Sequence, residues 1–147
     1  GIMRDLIREP GGERKCLQLA SNFYSAVQRT FPEDWFGHKP ATSRLVHGAG
    51  VQAMGHVMEI LAMLDGARKV EEFMVGLAPL RGRTAWRSGS WDFGGGDVRH
   101  WKAIQNLNRD VVSLAHYLIS VVRAGIRERR PPAPAPLLEA ARTDADS

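Results

Sequence analysis

Arg81, Arg83 and Arg87 are interleaved with Trp86 and Trp91, and Arg99 and Lys102 follow closely. Guanidinium groups present a planar fork that fits phosphate oxygens, and indole rings offer a face on which a base can stack. Those residue types in that order point to nucleic-acid contact, with phosphate binding as the main chemistry. The alternative is that both tryptophans pin the segment to the body of the protein while the arginines face water. The charge distribution bears on the choice. Residues 1–80 hold nine Lys/Arg and nine Asp/Glu, residues 81–130 hold ten against four, and residues 131–147 hold one against three. The whole positive excess behind the net charge of +4 therefore sits in one segment. An anionic partner would meet it there.

Other chemistry is less supported. The five histidines include no pair at the i, i+4 spacing of a helical zinc site. His47 and His56, nine residues apart, fall on opposite faces of an ideal helix at about 100° per residue. Ser43 and His47 could touch along one helical turn, but no third residue orients the histidine and nothing supplies an oxyanion hole. Asp92-Phe93-Gly94 shares letters with the kinase magnesium motif, without that family's phosphate loop, strand lysine or catalytic loop. Gly94-Gly95-Gly96 offers backbone amides, without the lysine of a P-loop, and reads first as a flexible corner. The single cysteine, Cys16, rules out an intramolecular disulfide and reads as a small apolar residue. No metal or other cofactor is implied.

The elements that must position these residues are mostly helical. A short helix is expected between Met3, the expected native start, and Glu9-Pro10-Gly11-Gly12, which ends it. A second is expected from Glu13 to Phe31, with Cys16, Ala20, Phe23, Val27 and Phe31 at four-and-three spacing. Pro32 to Ala41 is a connector. The central element is a long helix from Thr42 to Leu64, capped by Thr42 or Ser43, with Val46, Gly50, Ala53, Val57, Ile60 and Leu64 on one face. Gly48, Gly50 and Gly55 each cost a helix interior roughly 1 kcal/mol relative to alanine. Close approach of another element must offset that, and Phe23, Tyr24, Phe31 and Trp101 are the expected partners. Lys69 to Leu77 forms a shorter helix. Arg81 to Asp97 reads as an ordered loop or small hairpin turning at Ser88-Gly89-Ser90. Asp97 is expected to cap a short helix with Val98, Trp101 and Ile104, and Arg109 to Arg127 to form the last helix. From Pro131 the composition changes to a Pro-rich stretch and a polar tail.

Two stretches resemble a known family. Phe31-Pro32-x-x-Trp35, then Ser43-Arg44-Leu45-x-His47-Gly48-x-Gly50 continuing to Ala53-Met54-Gly55-x-x-Met58, is similar to the C-terminal helical part of bacterial DGQHR-domain proteins. Trp101-x-x-Ile104-Gln105-Asn106, followed by Asp110 and an apolar helix with Leu114 and Leu118, resembles the ending of that part. Together they cover most of Phe23 to Leu118. The Asp-Gly-Gln-His-Arg motif itself does not occur in the chain. The resemblance implies an accessory helical module or fragment associated with DNA modification and defence operons, which include the regulatory protein of DNA phosphorothioation systems. It also singles out Ser43, Arg44, His47, Gln105 and Asn106. A purely structural polar network between the start of the central helix and the Gln-Asn corner would account for those five without a ligand.

The sequence thus predicts an all-α fold: an irregular bundle of four to five helices over residues 1–130, with a Trp/Gly-rich loop or small hairpin inserted and a Pro-rich tail over 131–147. The expected function is a non-enzymatic nucleic-acid-associated module. The alternatives are a protein-interaction or oligomerisation module, and part of an enzyme whose site needs another chain or domain. The expected partners are a nucleic acid, a protein or a second copy, with no membrane, and the expected compartment is the cytoplasm.

Overall fold

The computed structural model describes residues 1–130; the Pro-rich stretch and polar tail, 131–147, lie outside the described residues. The chain is mostly helical and carries a small two-stranded antiparallel sheet, so it is not purely all-α. Six α-helices occur among the described residues: α1 (Ile2–Ile7), α2 (Gly12–Thr30), α3 (Pro32–Trp35), α4 (Gly48–Leu64), α5 (Val70–Leu77) and α6 (Asn108–Arg129). Strands β1 (Ser90–Asp92) and β2 (Val98–His100) lie between α5 and α6, and 3₁₀ turns span Ala78–Leu80 and Trp101–Ala103.

The core is built where the apolar periodicity puts it. α4 packs along α6, and α2 packs along α5. Phe23, Val27, Ala53, Met54, Val57, Leu61, Phe73, Leu77, Leu114, Leu118 and Val122 are buried together. Phe23 meets Phe73 edge to face with ring centroids 5.2 Å apart, a favoured aromatic arrangement. Gly76 and Gly125 allow close approach: a Cβ on Gly76 would overlap Leu61, and one on Gly125 would press on Pro79. α5 begins with its own cap, since the carboxylate of Glu72 accepts hydrogen bonds from the backbone amides of Arg68 (3.1 Å) and Lys69 (3.0 Å).

The central helix differs from the expectation in one informative way. It starts at Gly48, not Thr42, because Ser43 and Arg44 are used elsewhere. The Ser43 hydroxyl accepts from the amide of Leu45 (3.3 Å), a local turn that competes with helix, and the Arg44 side chain reaches into the body. His47 is the cap: its Nδ1 accepts a hydrogen bond from the amide of Ala49 at 3.1 Å.

The glycines also meet partners other than those expected. A Cβ on Gly50 would overlap the carbonyl oxygen of Arg44, so backbone, not a ring, lies against this position. One on Gly48 would lie 2.9 Å from the side-chain amide nitrogen of Asn106. Only Gly55 faces one of the expected rings, at 3.6 Å from the Tyr24 hydroxyl, an ordinary contact. Phe31 packs against Trp86, and Trp101 lies beneath Arg44.

The hairpin turns later than expected. Ser90 pairs with His100, Trp91 with Arg99 and Asp92 with Val98, so the turn is made by Phe93 to Asp97 and the triple glycine is its tip. Gly94, Gly95 and Gly96 all have positive φ, of 88°, 60° and 83°, a region side chains rarely enter. Asp92 steadies the turn by accepting from the amide of Gly94 at 2.9 Å. Asp97 closes the hairpin and caps no helix, and Val98 is a strand residue.

Substitution at two glycines of α4 is expected to move stability in opposite directions. Gly50→Ala pushes a methyl into the Arg44 carbonyl and should cost roughly 1 to 3 kcal/mol. Gly55→Ala has room and should gain up to about 1 kcal/mol from helix propensity. Urea unfolding of the two variants checks this; equal midpoints would refute the backbone contact at Gly50.

Candidate nucleic-acid interface

Two groups of residues carry the functional question, and the fold treats them differently. The first is the polar set. Arg44 is buried at 7% exposure, and burial lowers its pKa from the ordinary value, although an arginine stays charged. Its Nε donates to the carbonyl of Ile104 (2.9 Å), one terminal nitrogen to that of Pro40 (2.8 Å) and the other to that of Lys102 (3.0 Å). The guanidinium also lies 5.4 Å from the centroid of the Trp101 ring. Its backbone amide donates to the carbonyl of Trp86 at 2.8 Å. The charge is thus spent on main-chain oxygens of the body.

The other four members are placed around it. Ser43 is fully buried in its local turn. His47 caps α4. Gln105 donates from its side chain to the Lys102 carbonyl (3.2 Å), and Asn106 accepts from the side chain of Gln52 (2.7 Å). The start of α4 and the Gln-Asn corner do meet, but through the carbonyls of Lys102 and Ile104 and through Gln52, not through direct bonds among the five side chains. Asp110 completes the corner. Its buried carboxylate accepts from the Gln105 amide (2.9 Å) and from the Arg99 guanidinium.

The second group is the basic set. Arg81 and Arg87 line one cleft of about 310 Å³ together with Thr30, Asp34, Thr84 and Ser88. Arg87 is tied there to Asp34 at 2.7 Å, and that carboxylate raises the pKa of Arg87. Arg81 also borders an adjoining hollow of about 280 Å³ with Arg29 and Glu33. Arg83 is exposed, and its carbonyl accepts from the Tyr117 hydroxyl at 2.6 Å. Arg99 turns back onto Asp97 and Asp110, which raise its pKa. Lys102 is exposed beside Trp101, with its ammonium 5.7 Å from that ring's centroid. The structure therefore brings Arg81 and Arg87 together, holds Arg99 in an ion-pair cluster and leaves Arg83 and Lys102 outside the cleft.

Base stacking on the two interleaved tryptophans does not hold. Trp86 and Trp91 are 2% and 1% exposed and pack edge to face at 5.0 Å, between Phe31 on one side and Phe93 and Tyr117 on the other. They pin the hairpin to the body. Neither indole N–H has a hydrogen-bond acceptor among the described residues. Sequence reasoning missed Asp34 as the partner of Arg87, because nothing local relates a residue of α3 to one 53 positions later. Among the described residues no three His, Cys, Asp or Glu side chains gather in a way that could hold a metal ion, and no helix is long and apolar enough to cross a membrane.

Two substitutions test the polar set. Arg44→Met leaves the buried carbonyl of Ile104 without its donor and breaks the part-buried bonds to the carbonyls of Pro40 and Lys102; it should cost about 1 to 3 kcal/mol, and Arg44→Lys should recover little of it because one ammonium cannot span the fork. Unfolding midpoints measure both. His47 has a pKa below its ordinary 6.5, first through burial and then through the Arg44 charge. The unfolded chain takes up that proton more readily than the folded one, so the stabilisation is complete above about pH 6.5 and fades as pH falls toward the folded-state value. His47→Asn keeps a capping side chain that does not titrate and should flatten this decline; an unchanged pH slope between about pH 7.5 and about pH 5 would contradict it.

In comparisons with family models, with curated proteins and with solved structures, nothing matches this chain, so its residues and their geometry carry the functional reading.

Proposed function

We propose that this chain is a non-enzymatic nucleic-acid-associated module, an accessory or regulatory component linked to DNA modification or defence, with its helices packed as an irregular bundle. The observation that carries the reading is the set of cations left over once the ion pairs are made. Within residues 81–130, Arg87, Arg99, Arg109, Arg129 and Arg130 lie within 4.0 Å of a carboxylate. Arg81, Arg83, Lys102, Arg123 and Arg127 meet none among the described residues. Arg123 and Arg127 are exposed one turn apart on α6. Unpaired, exposed cations release counterions when they meet phosphates, which favours binding without base recognition. The likeness to the helical part of DGQHR-domain proteins pulls in the same direction.

With Trp86 and Trp91 buried, the interaction is expected to be with backbone phosphates, with weak sequence preference. A mobility-shift titration across salt tests it. Binding at low ionic strength should weaken steeply with salt, and Arg81→Glu with Arg83→Glu should lower the slope of log K against log salt by about 0.9 for each duplex phosphate that is no longer neutralised. No binding at low salt, or binding indifferent to salt, would refute the reading.

A second reading, a protein-interaction module, rests on one place. Ile7 and Leu17 are 50% and 72% exposed and line the same hollow of about 680 Å³ between α1 and α2. A chain that light scattering shows to be monomeric and that retains no partner through Leu17 would leave that reading empty.

A further inference from the structure

The cleft that holds Arg81 and Arg87 has walls that the fold fixes in advance. One wall is the joint between α2 and α3, with Thr30 and Asp34; the other is the segment from Arg81 to Ser88. Phe31 and Trp86, both buried, meet edge to face at 6.0 Å and join the two walls. The segment is also tied along its length. The Arg81 amide donates to the Ala78 carbonyl (3.1 Å), the Arg83 carbonyl accepts from the Tyr117 hydroxyl (2.6 Å), and the Trp86 carbonyl accepts from the Arg44 amide (2.8 Å). The main chain that carries both guanidinium groups is therefore set before any ligand arrives, which removes part of the ordering cost of binding.

The charges in the cleft do not cancel. Two guanidinium groups accompany a single carboxylate, and Arg81 has no carboxylate within 4.0 Å among the described residues. The adjoining hollow adds one charge of each sign, Arg29 and Glu33, so a positive surplus remains. Arg87 engages Asp34 through Nε at 2.7 Å, and its two terminal nitrogens donate to nothing among the described residues. The side chains of that pair are 41% and 22% exposed, and ion pairs so open to water are weak. A cationic ligand would meet the surplus of like charge. A tetrahedral phosphate suits the set, because its oxygens can accept from two guanidinium forks and from the hydroxyls of Thr84 and Ser88.

We propose that this cleft seats one backbone phosphate of a bound nucleic acid between Arg81 and Arg87, and that Asp34 is its built-in competitor. The inference rests on the nucleic-acid reading and names a site within it. In the free protein Asp34 holds Arg87 and lowers the positive potential of the cleft. An arriving phosphate takes over the Arg87 fork, and the exchange makes the cleft bind less tightly than its two arginines alone would. Asp34 thus sets the affinity of the site by opposing the phosphate, and removing its charge strengthens binding only through Arg87.

The test titrates the full chain, Asp34→Asn, Arg87→Gln and the double variant with a DNA duplex across salt. Loss of so exposed a pair leaves folding intact. Asp34→Asn should tighten binding several-fold at low salt and steepen the slope of log K against log salt by about 0.9, one more duplex phosphate neutralised. In the Arg87→Gln background the same substitution should add neither. A slope for Asp34→Asn equal to that of the unaltered chain overturns the proposal. So does a gain that persists without Arg87, since it reports only the loss of a nearby negative charge. Inorganic phosphate separates the cleft from the nucleic-acid reading. At constant ionic strength made up with chloride, it should shift the amides of Thr84, Arg87 and Ser88 in Asp34→Asn, and adding Arg87→Gln should abolish the shifts. Those shifts without any duplex binding leave the phosphate site standing and refute the nucleic-acid source. Salt-dependent duplex binding with neither the shifts nor the steeper slope leaves the reading standing and overturns the cleft.

Discussion

The guanidinium of Arg44 is a full charge inside the protein with no carboxylate beside it among the described residues. Desolvating it is unfavourable unless every N–H direction finds an oxygen. It finds three carbonyls, two of them on the segment that runs from the hairpin into α6. The same residue contributes an amide to Trp86 and a carbonyl against Gly50. One side chain and its peptide groups therefore fix the loop before α4, the root of the hairpin and the approach to α6. Because the acceptors are main-chain oxygens, the join specifies the path of the backbone and not only the identity of its neighbours. That constraint explains why α4 begins late, why Gly50 has no side chain and why Trp101 lies flat under a cation.

Asp110 does the matching work with the opposite sign. In the first turn of α6 it suits the positive end of the helix, and there it gathers the Gln105 amide and the Arg99 guanidinium. Arg99 is opposite Trp91 in the ladder, so the strand register presents the cation to this carboxylate while burying the ring. The basic segment is thus divided by geometry. Arg99 belongs to the architecture, Arg87 to its pair with Asp34, and Arg81, Arg83 and Lys102 retain charges that the described residues do not neutralise.

Much of the helical content was legible because apolar residues at four-and-three spacing leave little choice: α2, α5 and α6 fall within a few residues of the expected limits. The small hairpin was legible as composition but not as register. Ser88-Gly89-Ser90 and Gly94-Gly95-Gly96 are both acceptable turns locally, and the burial of Trp91 against Trp86 and Tyr117 selects the second. The start of α4 was misplaced because Thr42 and Ser43 look like caps, whereas a histidine ring accepting from the amide two residues on gives little local signal. The site was legible only as a set of residue types. Which arginines keep free charge depends on partners 11 and 53 positions away, and no local pattern encodes such distances.

The aromatic cluster beneath the hairpin has an optical consequence. Trp86 and Trp91 lie 5.0 Å apart with their planes inclined at 73°, close and skewed enough for their excited states to couple. Coupled, asymmetrically held indoles give near-ultraviolet circular dichroism that vanishes when the rings separate. Trp35 and Trp101 lie outside this pair and are partly exposed. The molecule therefore carries a native chromophore that reports whether the hairpin is seated, separately from the helical signal in the far ultraviolet.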